Sequence, residues 1–102
     1  MTQEEVIQTF RDAGALLEGH FIYTSGRHGS QFLQASRVLQ YPEHTEKLCK
    51  AVADRFRNDN IDLVVGPATG GIILAYATAR HLGARAAFTE KSGDLMAIKR
   101  GI

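Results

Sequence analysis

The chain has 102 residues, of which 44% are hydrophobic and 23% are charged, and its formal net charge is +1. This length accommodates one small domain, and the composition is ordinary for a soluble globular protein. The near-neutral charge excludes the broad basic surface typical of nucleic-acid-binding proteins. The polar start differs from a signal peptide, and no apolar run is long enough to span a membrane, so we expect a cytoplasmic protein without membrane or nucleic-acid partners.

The cysteine and histidine pattern predicts no disulfide and no structural metal site. Cys49 is the single cysteine of the chain, which excludes an internal disulfide. It lies in a stretch of helical character, so we expect a buried thiol rather than a nucleophile. Four histidines, His20, His28, His44 and His81, lack the spacing of metal ligands along the chain, and no Cys-x-x-Cys motif occurs.

The N-terminal part of the chain predicts a helix followed by a β-hairpin. Thr2 and Glu5 form a capping-box pattern, and apolar residues then recur at helical spacing as far as Gly14. Strands are predicted at 20–23 and 31–36, and a polar turn that contains glycines joins them.

The rest of the chain alternates helices and strands. The predicted elements are a helix from Pro42 to about Asn58, a strand at 61–66, a helix at 70–82, a strand at 85–90 and a returning strand at 95–99. A strand–helix–strand unit of this length is typical of parallel strands joined by a right-handed connection. The helix at 70–82 is apolar nearly all round, so we expect it to be largely buried. Because a small domain offers little core to cover it, we also expect self-association.

The turn between the strand at 61–66 and the following helix is the most informative segment. It reads Gly66-Pro67-Ala68-Thr69-Gly70-Gly71, and Ile72 follows within the helix. Backbone N–H groups of such a turn, together with the helix N-terminus, can converge on a phosphate or pyrophosphate. The alternative is a turn that only reverses the chain. Neither a P-loop nor a dinucleotide fingerprint fits, because no Lys-Ser or Lys-Thr follows Gly71 and the glycine spacing differs.

Several segments together resemble the orotate phosphoribosyltransferase family. The stretch at 19–28, with its Thr-Ser-Gly turn, resembles a turn near the start of that family, and the stretch at 64–72 resembles its pyrophosphate loop. The stretch at 87–101 is similar to its flexible catalytic hairpin, and 37–42 fits one branch of the family. The order and spacing of these segments agree over nearly the whole chain.

The resemblance implies a type I phosphoribosyltransferase fold, an α/β fold with a parallel sheet, flanking helices and an N-terminal hood. The hood corresponds to residues 1–40, and residues 41–102 correspond to the first part of the core. The family transfers ribose-phosphate from phosphoribosyl pyrophosphate to orotate with Mg²⁺, and forms homodimers in which the hairpin serves the neighbouring site. The family's ribose-5-phosphate loop is absent from this sequence. We therefore expect an N-terminal half that is inactive by itself.

The resemblance also assigns roles to individual residues. Lys91 takes the catalytic position, Phe32 lies near aromatic residues that face orotate, and Lys99 and Arg100 are further candidate cations. The pyrophosphate-binding positions are Thr24, Ala68, Thr69, Gly70 and Gly71.

Two of these positions depart from the family pattern, and the residue types leave simpler roles open. Many members of the family have Lys at the positions of Thr24 and Gly70, so this chain has two fewer cations near the phosphate. By residue type alone, the preferred role of Lys91 is a solvated turn lysine and that of Phe32 is a core residue.

Two alternative functions therefore stay open. One is a non-catalytic regulator of the same fold that senses phosphoribosyl pyrophosphate. The other is a phosphoribosyltransferase for another base.

Overall fold

The computed structural model describes residues 1 to 101, which form four helices and five strands. The helices are α1 (Gln3–Asp12), α2 (Ala35–Leu39), α3 (Pro42–Asp54) and α4 (Gly70–Leu82). The strands are β1 (Leu16–Ile22), β2 (His28–Leu33), β3 (Leu63–Pro67), β4 (Arg85–Ser92) and β5 (Leu95–Ile98). None of the helices within residues 1–101 is both long and apolar enough to cross a bilayer.

Contacts divide the chain into two compact units, and the division falls inside α3, after His44. The first unit contains α1, α2 and an antiparallel sheet of β1 and β2. The second contains most of α3, all of α4 and a sheet in the order β3-β4-β5. The expected boundary between residues 40 and 41 stays a prediction.

The capping box that the sequence predicts is present at the start of α1. The Thr2 hydroxyl accepts a hydrogen bond from the Glu5 N–H at 3.2 Å, and the Glu5 carboxylate accepts one from the Thr2 N–H at 3.0 Å. The hydrogen bonds with Thr2 hold the pKa of the Glu5 carboxyl below its usual value. Two backbone donors of the first turn are satisfied in this way, which explains why the helix begins at this point.

The hairpin of the first unit differs from the expected one. β1 begins at Leu16 and β2 at His28, both earlier than the sequence suggests, and the turn between them shortens to residues 23–27. The Tyr23 N–H donates to the Arg27 carbonyl at 2.8 Å and closes this turn. The register shifts between Glu18 and Phe21, so β1 contains a bulge and extends further towards the N-terminus than the strand predicted at 20–23. The short helix α2 was not predicted.

An aromatic side chain covers the glycine of β2. The Tyr23 hydroxyl donates a hydrogen bond to the Gln31 carbonyl, and its ring lies against Gly29. A Cβ atom at position 29 would overlap that ring. The absence of a side chain at Gly29 therefore lets Tyr23 reach across the hairpin.

The second unit contains the strand–helix–strand arrangement that the sequence predicts. β3 pairs in parallel with β4, with Leu63 opposite Arg85 and Pro67 opposite Thr89, and β5 returns antiparallel to β4. Cys49 on α3 is fully buried, as expected, and its thiol contacts the Leu74 carbonyl at 3.8 Å. Burial raises the pKa of this thiol, which keeps it protonated and unreactive.

Helix α3 is shorter than expected, and side-chain hydrogen bonds fix the position of its C-terminal end. It stops at Asp54 rather than near Asn58, and residues 55–58 form turns. The Arg57 guanidinium binds the Asp54 carboxylate at 2.6 Å and donates to the His81 carbonyl at the end of α4 at 2.8 Å. Arg57 thus links the ends of the two helices.

The expectation that α4 is largely buried is wrong for this chain. Its buried residues are small, namely Ala75, Ala77, Thr78 and Ala79. The larger Ile73 is 49% exposed and Tyr76 is 61% exposed. Small side chains allow the helix to pack closely on the sheet, whereas the bulky ones lie on its other side. Helical periodicity cannot show this division when both sides are apolar.

We expect Gly83→Ala to destabilise the protein by about 1–2 kcal/mol, because an L residue with a Cβ is strained in the left-handed region. Gly83 ends α4 with φ of 66°, and a Cβ there would meet no atom within 4 Å, so backbone strain alone is measured. Gly83→Asn is the control, with a smaller loss because Asn tolerates this conformation. Urea denaturation followed by circular dichroism gives both values. Equal stability of Gly83→Ala and the parent chain would contradict this explanation.

Candidate functional site

The candidate site lies where the parallel strands β3 and β4 end. β3 ends at Pro67, α4 begins at Gly70, and only Ala68 and Thr69, joined by a cis peptide bond, connect them. Ligands of open α/β sheets bind outside the carboxyl ends of the strands, at loops of this kind. The residues at 68–71 that the sequence singles out therefore occupy one short loop and the first turn of a helix.

Two glycines allow the helix to start directly on the end of the strand. A Cβ atom at Gly66 would overlap the Gly71 carbonyl and lie 3.1 Å from the Ala75 Cβ. A Cβ atom at Gly71 would overlap the Pro67 ring and lie 3.2 Å from the Gly66 Cα. At Gly70 a Cβ atom would meet nothing within 4 Å. Gly66 and Gly71 are therefore required by close packing, whereas Gly70 borders open space.

The loop presents three backbone donors that have no backbone partner within the described part of the chain. These are the N–H groups of Thr69, Gly70 and Gly71. The Ala68 N–H differs, because it donates to the Thr89 carbonyl at 2.7 Å and extends the β3–β4 pairing. Ala68 therefore anchors the loop and its N–H is not available to a ligand. The three remaining donors, at the positive end of the α4 dipole, are suited to an anion.

The hairpin of β4 and β5 continues from the same edge of the sheet. Thr89, which receives the Ala68 hydrogen bond, lies opposite Pro67 in β3 and Ile98 in β5. Lys91 follows two residues later, opposite Met96, and is exposed. Thr89 therefore connects the loop to the base of the hairpin.

The basic residues of the hairpin differ in how far they are engaged. The Arg100 guanidinium forms a bidentate ion pair with Glu90, with both distances 2.8 Å, and lies 5.9 Å from the centre of the Phe88 ring. Hydrogen bonds from Arg100 hold the pKa of Glu90 below its usual value. The Lys99 ammonium donates to the Lys91 carbonyl at 2.9 Å. The Lys91 ammonium itself has no ion pair or hydrogen bond with any residue in 1–101, so it is free to meet an anion.

The other two candidate residues lie in the first unit. Thr24 is exposed in the turn that joins β1 and β2. Phe32 is 38% exposed, and its ring centre lies 5.9 Å from that of Phe21 and 6.5 Å from that of Tyr23. Phe32 is thus part of a half-open aromatic cluster rather than a buried core residue. Residues 68–71 and Lys91 belong to the second unit, whereas Thr24 and Phe32 belong to the first.

Sequence reasoning missed two features of this site. One is the carbonyl of Thr89, which occupies the Ala68 donor, and the other is Glu90, which pairs with Arg100. A backbone acceptor leaves no signal in residue types. The hairpin register, with its turn at Gly93, does place Glu90 and Arg100 near the same end of the hairpin, so that the pairing of opposite charges was accessible from the sequence.

Comparison with known proteins identifies the relatives of this chain. It is 46% identical over 100 residues to the orotate phosphoribosyltransferase of Desulforamulus reducens, which covers 98% of this chain and 52% of that protein. It is 51% identical over 104 residues to the orotate phosphoribosyltransferase of Methylorubrum extorquens. That alignment covers 99% of this chain and 53% of that protein. The chain is a homologue of the orotate phosphoribosyltransferases. It spans about half the length of the curated relatives it matches, and no family model matches it.

The fold agrees with these relatives. The crystal structure of orotate phosphoribosyltransferase from Aeropyrum pernix superposes with a TM-score of 0.74 at 21% identity, over 92% of this chain and 56% of that chain. The chain therefore has the α/β fold of the type I phosphoribosyltransferases over the part that it covers. The family resemblance and the fold class expected from the sequence are both confirmed.

We expect Gly66→Ala and Gly71→Ala each to destabilise the protein by about 1–3 kcal/mol, because the added methyl group has no room. Gly70→Ala is the matched control in the same loop. Its methyl group enters open space at a helix start, and alanine is favoured over glycine in a helix by about 0.5–1 kcal/mol. Thermal and urea denaturation of the three variants test the packing. If Gly70→Ala lowered the free energy of unfolding as much as Gly66→Ala does, the close-packing explanation would be wrong.

Proposed function

We propose that this chain forms part of an orotate phosphoribosyltransferase. In this reaction the ribose-phosphate group of phosphoribosyl pyrophosphate is transferred to N1 of orotate, which gives orotidine monophosphate and pyrophosphate, a step of pyrimidine nucleotide synthesis. The observation that supports the proposal most directly is the loop at 68–71 with three unpaired donors, in a chain 46% identical to a relative of that name. We further propose a cytoplasmic location.

The loop's part in the proposed reaction is to hold the departing pyrophosphate. The C–O bond to pyrophosphate breaks as the ribose gains positive charge, so negative charge accumulates on the leaving group. Fixed N–H donors stabilise that charge without having to reorganise. Thr69, Gly70 and Gly71 supply such donors, and the absence of a side chain at Gly70 leaves room for phosphate oxygens close to the backbone.

In the proposed reaction, Mg²⁺ arrives bound to the diphosphate of the substrate. The free groups of the loop are N–H donors, which suit phosphate oxygens and do not coordinate a cation. The donor set therefore fits a diphosphate that carries its own Mg²⁺. When bound, the ion would neutralise part of the diphosphate charge.

We assign the remaining roles by chemistry. Lys91 is the cation proposed for the reacting phosphate, because its ammonium is exposed and uncommitted. Thr24 would offer a hydroxyl to the substrate phosphate, and Phe32 would present an aromatic face to the planar orotate ring. Arg100 is held by Glu90, so its contribution would require that ion pair to open.

We expect pyrophosphate with Mg²⁺ to perturb the backbone amide signals of Thr69, Gly70 and Gly71 in an NMR titration. Gly71→Val should abolish the effect, because a branched side chain overlaps Pro67 and crowds the anion. Gly70→Lys should tighten binding by about tenfold, since a hydrogen bond to a charged group contributes about 1.5–3 kcal/mol, reduced here by exposure. Gly70→Met is the uncharged control of similar length. Perturbation confined to residues 27–30 would contradict the assignment.

Transferase activity is best tested in a chimera in which this chain replaces the matching half of the Desulforamulus reducens enzyme. We expect orotate consumption with phosphoribosyl pyrophosphate and Mg²⁺. Lys91→Ala should lower kcat by about 10²–10³, the usual effect of removing one charge-stabilising group. Lys47→Ala, an exposed lysine on α3, is the control. An inactive chimera that still binds phosphoribosyl pyrophosphate would favour a non-catalytic regulator. Turnover of another base, but not of orotate, would favour a different transferase.

We also propose that the chain forms a homodimer through the apolar outer side of α4. Ile73 and Tyr76 expose about half or more of their surface, which is costly for a monomer in water. We expect light scattering at micromolar concentration to give a mass of two chains. Tyr76→Lys should reduce the measured mass to that of one chain. Ile22→Lys, which replaces an exposed apolar residue of the hairpin in the first unit, should leave the dimer intact. A monomeric parent chain with a cooperative melt would contradict dimerisation.

A further inference from the structure

Two histidines on neighbouring strands are in direct contact in the first unit. His28 lies opposite Ile22 in the β1–β2 register, and His20 is two residues before Ile22, so the two histidines are diagonal neighbours on one side of the hairpin. His28 Nδ1 and His20 Nε2 are 2.9 Å apart, and the ring centres are 4.9 Å apart with an interplanar angle of 61°. Both residues are exposed to solvent.

From this geometry we propose that His20 and His28 form a two-histidine binding site for a divalent transition-metal ion with tetragonal coordination, Cu²⁺ or Ni²⁺. The proposal is independent of the transferase function. One of the two facing nitrogens carries the proton of the hydrogen bond. When that proton moves to the other nitrogen of the same ring, both facing nitrogens present lone pairs and both rings can bind a metal ion as neutral ligands.

The separation of the two nitrogens favours this class of ion. Nitrogens about 2.0–2.1 Å from a metal and at a right angle lie about 2.9 Å apart, whereas a tetrahedral angle requires about 3.3 Å. The 2.9 Å of the hydrogen-bonded pair equals the spacing of adjacent ligands in a square or tetragonal site. The rings would turn so that both nitrogens face the ion instead of each other. Among N-donor sites Cu²⁺ also binds most strongly of the divalent first-row ions.

The hairpin keeps the pair together before any ion arrives. The turn is closed by the Tyr23–Arg27 hydrogen bond, and the bulge between Glu18 and Phe21 fixes the register of the strand end. A preformed pair loses little entropy on binding and gains from chelation. No third His, Cys, Asp or Glu joins this pair within residues 1–101, so water would complete the coordination.

The test is a titration of the 102-residue chain with Cu²⁺ at neutral pH, followed by calorimetry and by electron paramagnetic resonance. We expect one ion per chain and a tetragonal spectrum with nitrogen hyperfine structure. His20→Asn and His28→Asn should each weaken binding by about a hundredfold, because the remaining histidine no longer chelates. Circular dichroism of the variants confirms that the fold is retained.

His81→Gln is the matched control. His81 contacts the Glu46 carboxylate of α3 at 2.8 Å, so it is a histidine outside the proposed site that also has a possible metal ligand beside it. This variant should bind Cu²⁺ as the parent chain does. Unchanged affinity in both His20→Asn and His28→Asn, an equal loss in His81→Gln, or tighter binding of Zn²⁺ than of Cu²⁺ would overturn the proposal. None of these results bears on the separate proposal that residues 69–71 bind pyrophosphate.

Discussion

The close approach of Gly66 and Gly71 determines the geometry of the second unit. Because neither residue has a side chain, the first turn of α4 rests directly on the end of β3, and small residues such as Ala75 continue the contact along the helix. The Ala68 N–H then binds the Thr89 carbonyl, so the loop is attached to β4 as well. With both ends of the loop held, the N–H groups of Thr69, Gly70 and Gly71 keep a fixed direction. A rigid set of donors binds an anion with little loss of entropy and can stabilise developing charge.

The same attachment point connects the loop to the charged hairpin. Thr89 is followed by Glu90 and Lys91, and the Glu90 carboxylate holds Arg100 across the hairpin. The charges of Glu90 and Arg100 cancel locally, while Lys91 keeps its charge available. In the reaction proposed above, Lys91 would be the cation offered to the diphosphate, and Arg100 would contribute only after its ion pair with Glu90 opens.

Much of this architecture was predictable from local patterns. The capping box at Thr2 and Glu5, the parallel pairing of β3 with β4 and the glycine end of α4 all follow from residue types within a few positions of each other. Three features were not predictable for a common reason. The bulge before Phe21, the early end of α3 at Asp54 and the small-residue packing side of α4 depend on contacts between elements. Similarly, the loop at 68–71 could be located from its glycines, but the loss of the Ala68 donor to Thr89 requires knowledge of the strand register.

Tyr23 and Gly29 form a pair whose consequence extends beyond this one chain. The tyrosine hydroxyl binds the Gln31 carbonyl, and the ring occupies the space that a side chain at position 29 would need. The two positions are therefore coupled by volume. Among homologues we expect them to covary, with a tyrosine at the first position accompanied by glycine at the second and a larger residue at the second accompanied by a smaller one at the first. Such a pair would be a marker for tracing which lineages share this form of the hairpin.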